Sequence, residues 1–251
     1  MSTDTNDNWL VAPPGKSMGC LPRRSKPGTL APFLRDRVAV IPRGEWDEIL
    51  EGRTTRETEL NGRADVIKIH DQGSTGSCAT ESTSQAIEVL GVRSGYDWEE
   101  LNPWSIYRVT SGGSDRGSNI DDNLEFAREV GVLPTSYFPR YDDNGKIINR
   151  WNAKPPAGWE EVAAKYRIIE WWDMTTVDEV GTALLLGYPV VVGWSSHSEV
   201  MVDLLPGEKA MVANSWSTEW GDAGFHTEPL SKINWGYGAF AVRTIVDRGI
   251  S

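Results

Sequence analysis

The stretch Gln72-Gly73-Ser74-Thr75-Gly76-Ser77-Cys78 places a glutamine amide, two glycines and a thiol directly before a predicted helix. Residues 79–90 carry apolar side chains at three- and four-residue steps, which predicts that helix. The unpaired N–H groups at a helix N-terminus favour a thiolate at the cysteine. The glycines permit a tight turn whose backbone N–H groups can approach a substrate oxygen, and the glutamine can donate to the same oxygen. The stretch therefore predicts a nucleophile for carbonyl groups, against the alternative of a small buried cysteine.

Two polar side chains in the C-terminal third can complete a catalytic set. His197 stands at the start of an apolar segment, and Asn214 is followed by Ser215 and Trp216. A Cys/His pair needs a third group to hold the imidazole in the useful tautomer, and an amide oxygen can do this without adding charge. Three separated segments therefore predict one constellation of Cys78, His197 and Asn214.

These residues, in this order, resemble the papain-like cysteine peptidases over residues 66–245. The resemblance implies that Cys78 is the nucleophile and His197 the general base and acid. It implies that Asn214 orients the imidazole and that Gln72 helps to form the oxyanion hole. It also implies an α+β fold in which a helical lobe packs against an antiparallel β-sheet or barrel, with the active site in the cleft between them.

The same resemblance implies a substrate-binding set around the cleft. Trp216 is expected to shield the hydrogen bond between Asn214 and His197, and the stretch around Gly117 is expected to line the cleft. The substrate-binding residues expected on this basis are Gly76, Ser77, Gly117, Ser118 and Trp216.

The chain departs from the family pattern at four points. Thr75 stands where the family usually has a cysteine, which removes a disulfide, and Ala79 stands where an aromatic usually follows the nucleophile. Ser118 replaces the second glycine of the pair that lines the cleft. The spacing from Cys78 to His197 is below the roughly 130 to 150 residues given for the family. We therefore expect an altered cleft wall and a shortened rim on the histidine side.

Composition excludes some classes of function. A net charge of −11 argues against a nucleic-acid binder, because phosphate contacts require clustered Lys and Arg. The two cysteines, Cys20 and Cys78, allow at most one bridge, which favours a reducing compartment. The sequence shows no signal segment and no run long enough to span a membrane. We expect a cytoplasmic protein, with virion association as the alternative.

No cofactor and no metal are expected. His70 and His226 lack accompanying ligands at metal-site spacing, so a structural role is favoured for both. Gly15-Lys16-Ser17 resembles the end of a phosphate loop, but Leu10 stands where the motif needs glycine, which favours a chance match.

Breaks in the pattern divide the chain into an N-terminal arm, residues 1–65, and a catalytic domain, residues 66–251. Within the domain we expect a helical lobe at about residues 66–141, a linker at 142–159 and a β lobe at 160–251. The arm is expected to be extended or disordered up to about residue 32, with a short strand at residues 38–41 and an amphipathic piece at 46–50. The expected β-lobe elements are strands at 166–172, 190–194, 199–205, 210–216, 224–228 and 238–245 and a helix at 177–186.

The sequence thus favours a cysteine peptidase that hydrolyses peptide bonds through an acyl-enzyme, with a polypeptide as substrate and neither nucleic acid nor membrane as partner. One alternative is a papain-fold structural or assembly component, for example of a phage particle, that binds its partner through residues 1–65. Another alternative is an enzyme that forms the same acyl-enzyme but transfers the acyl group to an acceptor other than water, as in amidation or transglutamination.

Overall fold

The structure is a computed structural model that describes residues 11–53 and 62–247. It combines helices with a six-stranded antiparallel sheet, which confirms the predicted α+β class. The helices are α1 (Trp46–Glu51), α2 (Cys78–Arg93), α3 (Trp104–Thr110), α4 (Ile120–Glu129), α5 (Trp159–Ala163) and α6 (Val177–Leu185), with 3-10 turns at Leu34–Asp36, Arg43–Glu45, Ala164–Tyr166 and Leu230–Lys232.

The predicted nucleophile helix exists and is longer than expected. Helix α2 continues through Gly91, which the sequence predicted as its stop, and the backbone N–H of Ser94 closes it on the carbonyl of Leu90 at 2.9 Å. An internal glycine costs a helix only about 1 kcal/mol. Burial of α2 from Cys78 to Gly91 outweighs that cost.

The strands of the β lobe lie close to their predicted positions. The strands are β1 (Cys20–Leu21), β2 (Leu101–Asn102), β3 (Ser118–Asn119), β4 (Leu133–Pro134), β5 (Ile168–Met174), β6 (Val190–Gly193), β7 (Ser198–Leu205), β8 (Lys209–Ala213), β9 (Phe225–Pro229) and β10 (Ala239–Ile245). The main sheet has the order β5-β10-β6-β7-β8-β9, and every neighbouring pair is antiparallel. Within the described residues this sheet stays open rather than closing into a barrel.

The continuous apolar run of β6 is explained by two cores, one on each face of the sheet. Successive side chains of a strand point to opposite faces. Val191 packs in the core that contains Ile87 of α2. Val190 and Val192 pack in the core that contains Val180 of α6. The sheet is therefore covered by the helical lobe on one face and by α6 and part of the N-terminal arm on the other.

The described part of the arm is attached to both lobes. Strand β1 pairs in parallel with β3 of the helical lobe. Arg23 forms a two-bonded ion pair with Asp173 of β5, at 2.7 and 3.1 Å. Leu34 and Trp46 are buried in the core beside α6. The arm is thus anchored over its described residues, 11–53 and 62–65, and residues 1–10 and 54–61 lie outside the described part.

One prediction for the arm was wrong. Residues 38–41 form no strand, because the backbone N–H of Ile41 donates to the Thr182 hydroxyl at 2.9 Å instead of to a neighbouring strand. The amphipathic piece after it does form α1. None of the helices in the described ranges is long and apolar enough to cross a membrane.

Candidate active site

Cys78 is the first residue of α2 and is completely buried. Its Sγ lies 4.0 Å from the carbonyl oxygen of Ser196, the residue before His197. One helical turn further, the hydroxyls of Ser82 in α2 and Ser198 in β7 are hydrogen bonded at 2.7 Å. This bond ties the helix that carries the thiol to the strand that carries the histidine.

Sheet register brings His197 and Asn214 together. Val200 of β7 pairs with Ala213 of β8, so the start of β7 lies beside the end of β8. His197 Nε2 is 2.9 Å from Asn214 Oδ1. Because that oxygen also accepts the backbone N–H of Ser215, at 2.6 Å, it is the acceptor and Nε2 carries the proton. His197 Nδ1 is then a proton acceptor, and it has no hydrogen-bond partner within the described residues.

An aromatic wall covers this hydrogen bond. The Trp216 ring stacks on the His197 ring with centroids 4.2 Å apart and planes at 19°. Trp220 packs edge-on against Trp216, and His226 packs edge-on against Trp220. Burial lowers the pKa of His197 below its ordinary value, while the Glu199 carboxylate and the Asn214 contact oppose that shift.

Gln72 is placed by the segment that follows Asn214. Its backbone N–H donates to the Ser215 carbonyl at 2.9 Å, and its Oε1 accepts the Ser215 hydroxyl at 2.7 Å. These contacts fix the amide so that Nε2 is the donor end. Nε2 donates to the carbonyls of Thr75 at 2.7 Å and Ser17 at 2.9 Å. The predicted oxyanion donor therefore holds a carbonyl of the arm.

A buried polar network supports the loop where the family pattern has a cysteine. The Thr75 hydroxyl donates to the Gln72 carbonyl at 2.6 Å and lies 2.7 Å from the hydroxyl of Ser77. Ser77 in turn donates to Glu81 at 3.0 Å. Glu81 forms two bonds of 2.9 Å with Arg140. Hydrogen bonds and an ion pair thus hold this loop in place of a disulfide.

His70 belongs to the same buried network. The two ring nitrogens of His70 lie 2.9 Å from Glu81 and 3.0 Å from Glu88. Although burial disfavours the imidazolium, the carboxylates of Glu88 and Glu81 raise the pKa of His70 to about 10. Burial also works against the Glu81 anion, but Arg140 and His70 outweigh it and bring its pKa to about 2.

The arm occupies the cleft beside Cys78. The carbonyl of Gly19 accepts the backbone N–H of Ser118 at 2.9 Å, and the N–H of Cys20 donates to the Ser196 carbonyl at 2.8 Å. A Cβ on Gly19 would lie 2.0 Å from the carbonyl oxygen of Gly76. A Cβ on Gly117, whose φ is +96°, would lie 2.0 Å from the Gly19 oxygen. Glycine at positions 19 and 117 therefore allows the backbones at 19, 76 and 117 to approach so closely.

Burial reverses one expectation for the thiol. The sequence predicts a thiolate favoured by the helix N-terminus, but burial raises the pKa of Cys78 to about 12, against hydrogen bonds from backbone groups of Ser198, Gly19 and Ala79. Desolvation disfavours the charged form more than those donors favour it. Cys78 is therefore a neutral thiol in its buried position.

The structure places Cys78 beside Ser196, His197 against Asn214, and Gln72 against Ser215, and the catalytic roles of Cys78, His197, Asn214 and Gln72 stay predictions. Among the predicted substrate-binding residues, Gly76, Gly117, Ser118 and Trp216 lie against the arm, through the contacts above and a 3.4 Å bond from Trp216 Nε1 to the Ser17 carbonyl. The Ser77 hydroxyl is engaged by Thr75 and Glu81, so its place in substrate binding stays a prediction.

Sequence reasoning missed Glu199, a buried carboxylate near His197. Its Oε1 is 3.7 Å from His197 Nε2. The signal was its position two residues after His197, because alternate residues of a strand share a face. His226, expected to be structural, is the ion-pair partner of Glu199, with Nε2 3.1 Å from both carboxylate oxygens.

Solved structures resemble this chain over most of its length. Xylellain, a cysteine protease from Xylella fastidiosa, matches with a TM-score of 0.66 and 17% identity over 94% of this chain and 100% of that chain. The fold is that of papain-like cysteine peptidases.

Two further papain-like structures agree with this. Procathepsin B S9 from Trypanosoma congolense matches with a TM-score of 0.61 and 15% identity over 91% of this chain and 87% of that chain. The Carica candamarcensis cysteine protease CMS1MS2, solved with E-64, matches with a TM-score of 0.53 and 18% identity over 73% and 97%. At these identities the likeness establishes the papain-like fold and its two lobes. No family model and no curated protein sequence matches the chain.

Proposed function

We propose that this protein is a cysteine peptidase that hydrolyses peptide bonds through an acyl-enzyme on Cys78. The observation that carries the proposal is the 2.9 Å contact between His197 Nε2 and Asn214 Oδ1, which leaves Nδ1 as a proton acceptor at the end of β7 that lies beside the thiol. The papain-like fold supports hydrolase chemistry of this class at the level of the fold.

In the proposed reaction the Cys78 thiol gives its proton to His197 Nδ1, and the thiolate attacks a peptide carbonyl. The oxyanion forms where Gln72 Nε2 now donates to the Ser17 carbonyl, and the backbone N–H of Cys78 is the second donor. His197 then protonates the leaving amine. Water adds to the thioester with His197 as base, and the carboxylic acid leaves as the thiol is restored.

The arm must leave the cleft before a polypeptide can enter, because the carbonyls of Ser17 and Gly19 hold the donors of Gln72 and Ser118. The experiment therefore uses the full chain and its Gly19→Ala variant, treated with an epoxide peptidase inhibitor and mapped by mass spectrometry. Labelling of Cys78 that is lost in His197→Ala, together with hydrolysis of an unstructured peptide, supports the proposal. Cys78→Ser is the matched control, since it keeps the size of the side chain and removes the nucleophile.

The second candidate is an assembly component that binds a protein partner through residues 1–65, as in a virus particle. The seating of the arm in the cleft favours it, because the described chain fills the groove that a substrate needs. This candidate is selected if the protein co-purifies stoichiometrically with a larger assembly and if neither the wild-type protein nor Gly19→Ala hydrolyses a peptide or takes the epoxide label. The proposed location of a peptidase with two free cysteines is a reducing interior.

A further inference from the structure

The His197 imidazole faces a second acidic group besides its amide partner. Glu199 follows on β7 with its side chain fully buried, and its Oε1 lies 3.7 Å from His197 Nε2. That nitrogen is the one whose proton is held by Asn214 Oδ1 at 2.9 Å. One N–H thus faces a neutral acceptor at hydrogen-bond distance and an anion slightly farther away.

Glu199 is held in a cluster of charged groups that we call the Glu199 cluster and that includes His226, Glu228 and Lys232. His226 of β9 contacts both Glu199 oxygens at 3.1 Å, and its Nδ1 lies 3.6 Å from Glu228. Lys232, in the 3-10 turn after β9, is 3.2 Å from Glu228. The indole N–H of Trp194 donates to Glu199 at 2.6 Å. These contacts fix the carboxylate beside the imidazole.

Glu199 and the protonated His226 carry opposite charges that stabilise each other. Burial works against charge at both residues, but their mutual attraction lowers the pKa of Glu199 and raises that of His226 to about 9. Around neutral pH Glu199 is therefore an anion that faces the His226 cation. When His197 becomes an imidazolium, Asn214 offers it a dipole and Glu199 offers it a full negative charge.

We propose that Glu199 is a positioning residue that stabilises the imidazolium of His197, and that its ion pair with His226 limits how much of its charge His197 receives. This inference rests on the proposed function for its catalytic meaning. The Cys78 thiol can transfer its proton only if the product imidazolium is tolerated in a buried site, and a nearby anion favours that form. Glu199 would therefore increase the share of the thiolate–imidazolium pair.

Substitutions of Glu199 and of His226 should shift the pKa of His197 in opposite directions. Glu199→Gln keeps the shape and removes the anion, so the pKa of His197 should fall by about one unit or more. His226→Gln removes the cation that competes for Glu199, so the pKa of His197 should rise. Glu199→Asp keeps the charge at a greater distance and should restore part of the wild-type value. If Glu199 had a purely structural role, the change in the pKa of His197 would not have opposite signs in Glu199→Gln and His226→Gln.

The measurement is an NMR titration of the imidazole rings in the full chain. The protein contains three histidines, so His70→Gln and His226→Gln together assign the signal of His197. Glu179→Gln is the matched control, because Glu179 is an equally buried carboxylate that pairs with Arg35 at the start of α6. It should leave the titration of His197 unchanged.

A second readout links the shifts to catalysis. The alkaline limb of the pH profile of kcat/KM should shift to lower pH in Glu199→Gln and to higher pH in His226→Gln. If the titration of His197 stays within about 0.3 unit of wild type in both variants, or moves in one direction in both, the inference fails. If the titrations shift as expected but no variant hydrolyses a peptide, the effect of Glu199 on His197 stands and the peptidase proposal fails instead.

Discussion

Replacing Gly19 by alanine should expose the buried thiol. The added Cβ would meet the carbonyl oxygen of Gly76 at 2.0 Å, which is backbone that cannot rotate away, so β1 must leave the cleft. Among the contacts that the arm then loses are three hydrogen bonds: Ser118 N–H to the Gly19 carbonyl, Cys20 N–H to the Ser196 carbonyl and Gln72 Nε2 to the Ser17 carbonyl. At about 1 kcal/mol each, the loss is about 3 kcal/mol, which increases the uncovered population roughly a hundredfold.

The assay is the rate of alkylation of Cys78 by iodoacetamide between pH 6 and 9, read by mass spectrometry. Cys20 and Cys78 fall on different tryptic peptides, so the two thiols are followed separately. In the wild-type chain Cys78 should react slowly, because burial raises its pKa to about 12. In Gly19→Ala its rate near neutral pH should approach a hundredfold increase.

Gly44→Ala is the matched control, since a Cβ at Gly44 meets nothing within 4 Å. It should leave the alkylation rate at the wild-type value. The reasoning is refuted if Gly19→Ala folds with an unchanged melting temperature and Cys78 still reacts at the wild-type rate. Faster alkylation of Cys20 without that of Cys78 would also refute it, because the arm would then move without uncovering the nucleophile.

Three further predictions concern the predicted site and its support. In the Gly19→Ala background, Asn214→Ala should lower kcat because the imidazole loses its fixed tautomer, and His197→Ala should lower it much further; equal mild effects in a peptide assay would contradict their pairing. Cys20→Ser should leave the urea midpoint unchanged with and without reductant, since both cysteines are free, and a midpoint that falls only under oxidising conditions would show a bridge. His70 has a folded pKa of about 10 against an ordinary 6.5, so its stabilisation is complete below about pH 6.5 and is lost as the pH rises through 10. The free energy of unfolding measured in urea should therefore decline from pH 6 to 10 in wild type, and it should decline less in His70→Gln. Equal declines in the two proteins would count against the buried ion pairs.

The parts of the fold that could be predicted from the sequence are those set by local pattern. The helix at Cys78 and the strands of the β lobe follow from periodicity and turn residues, and the approach of His197 to Asn214 follows from the resemblance. The seating of β1 could not be predicted, because two residues carry no periodicity and their partners in β3 are distant in the chain. The pKa of Cys78 was misjudged because complete burial in the folded chain outweighs the nearby backbone donors.

The buried charged residues are the other part of the site that could not be predicted from the local sequence pattern. Glu81 and Glu88 lie in a buried helix and Glu199 in a buried strand, although acidic residues usually face water. Each is tolerated because a cation lies against it: Arg140 and His70 for the first two and His226 for the third. Their partners come from separate segments, so only the folded chain shows that the charges are compensated.

The attachment of the arm by Arg23 to Asp173 has a consequence for kinetics. A segment tethered beside its own groove competes with a free peptide as though it were present at an effective concentration of the order of millimolar. A substrate supplied at micromolar concentration then meets a cleft that is nearly always filled. Measured on the intact chain, such competition raises the apparent KM and leaves kcat unchanged, so turnover should be judged at saturating substrate.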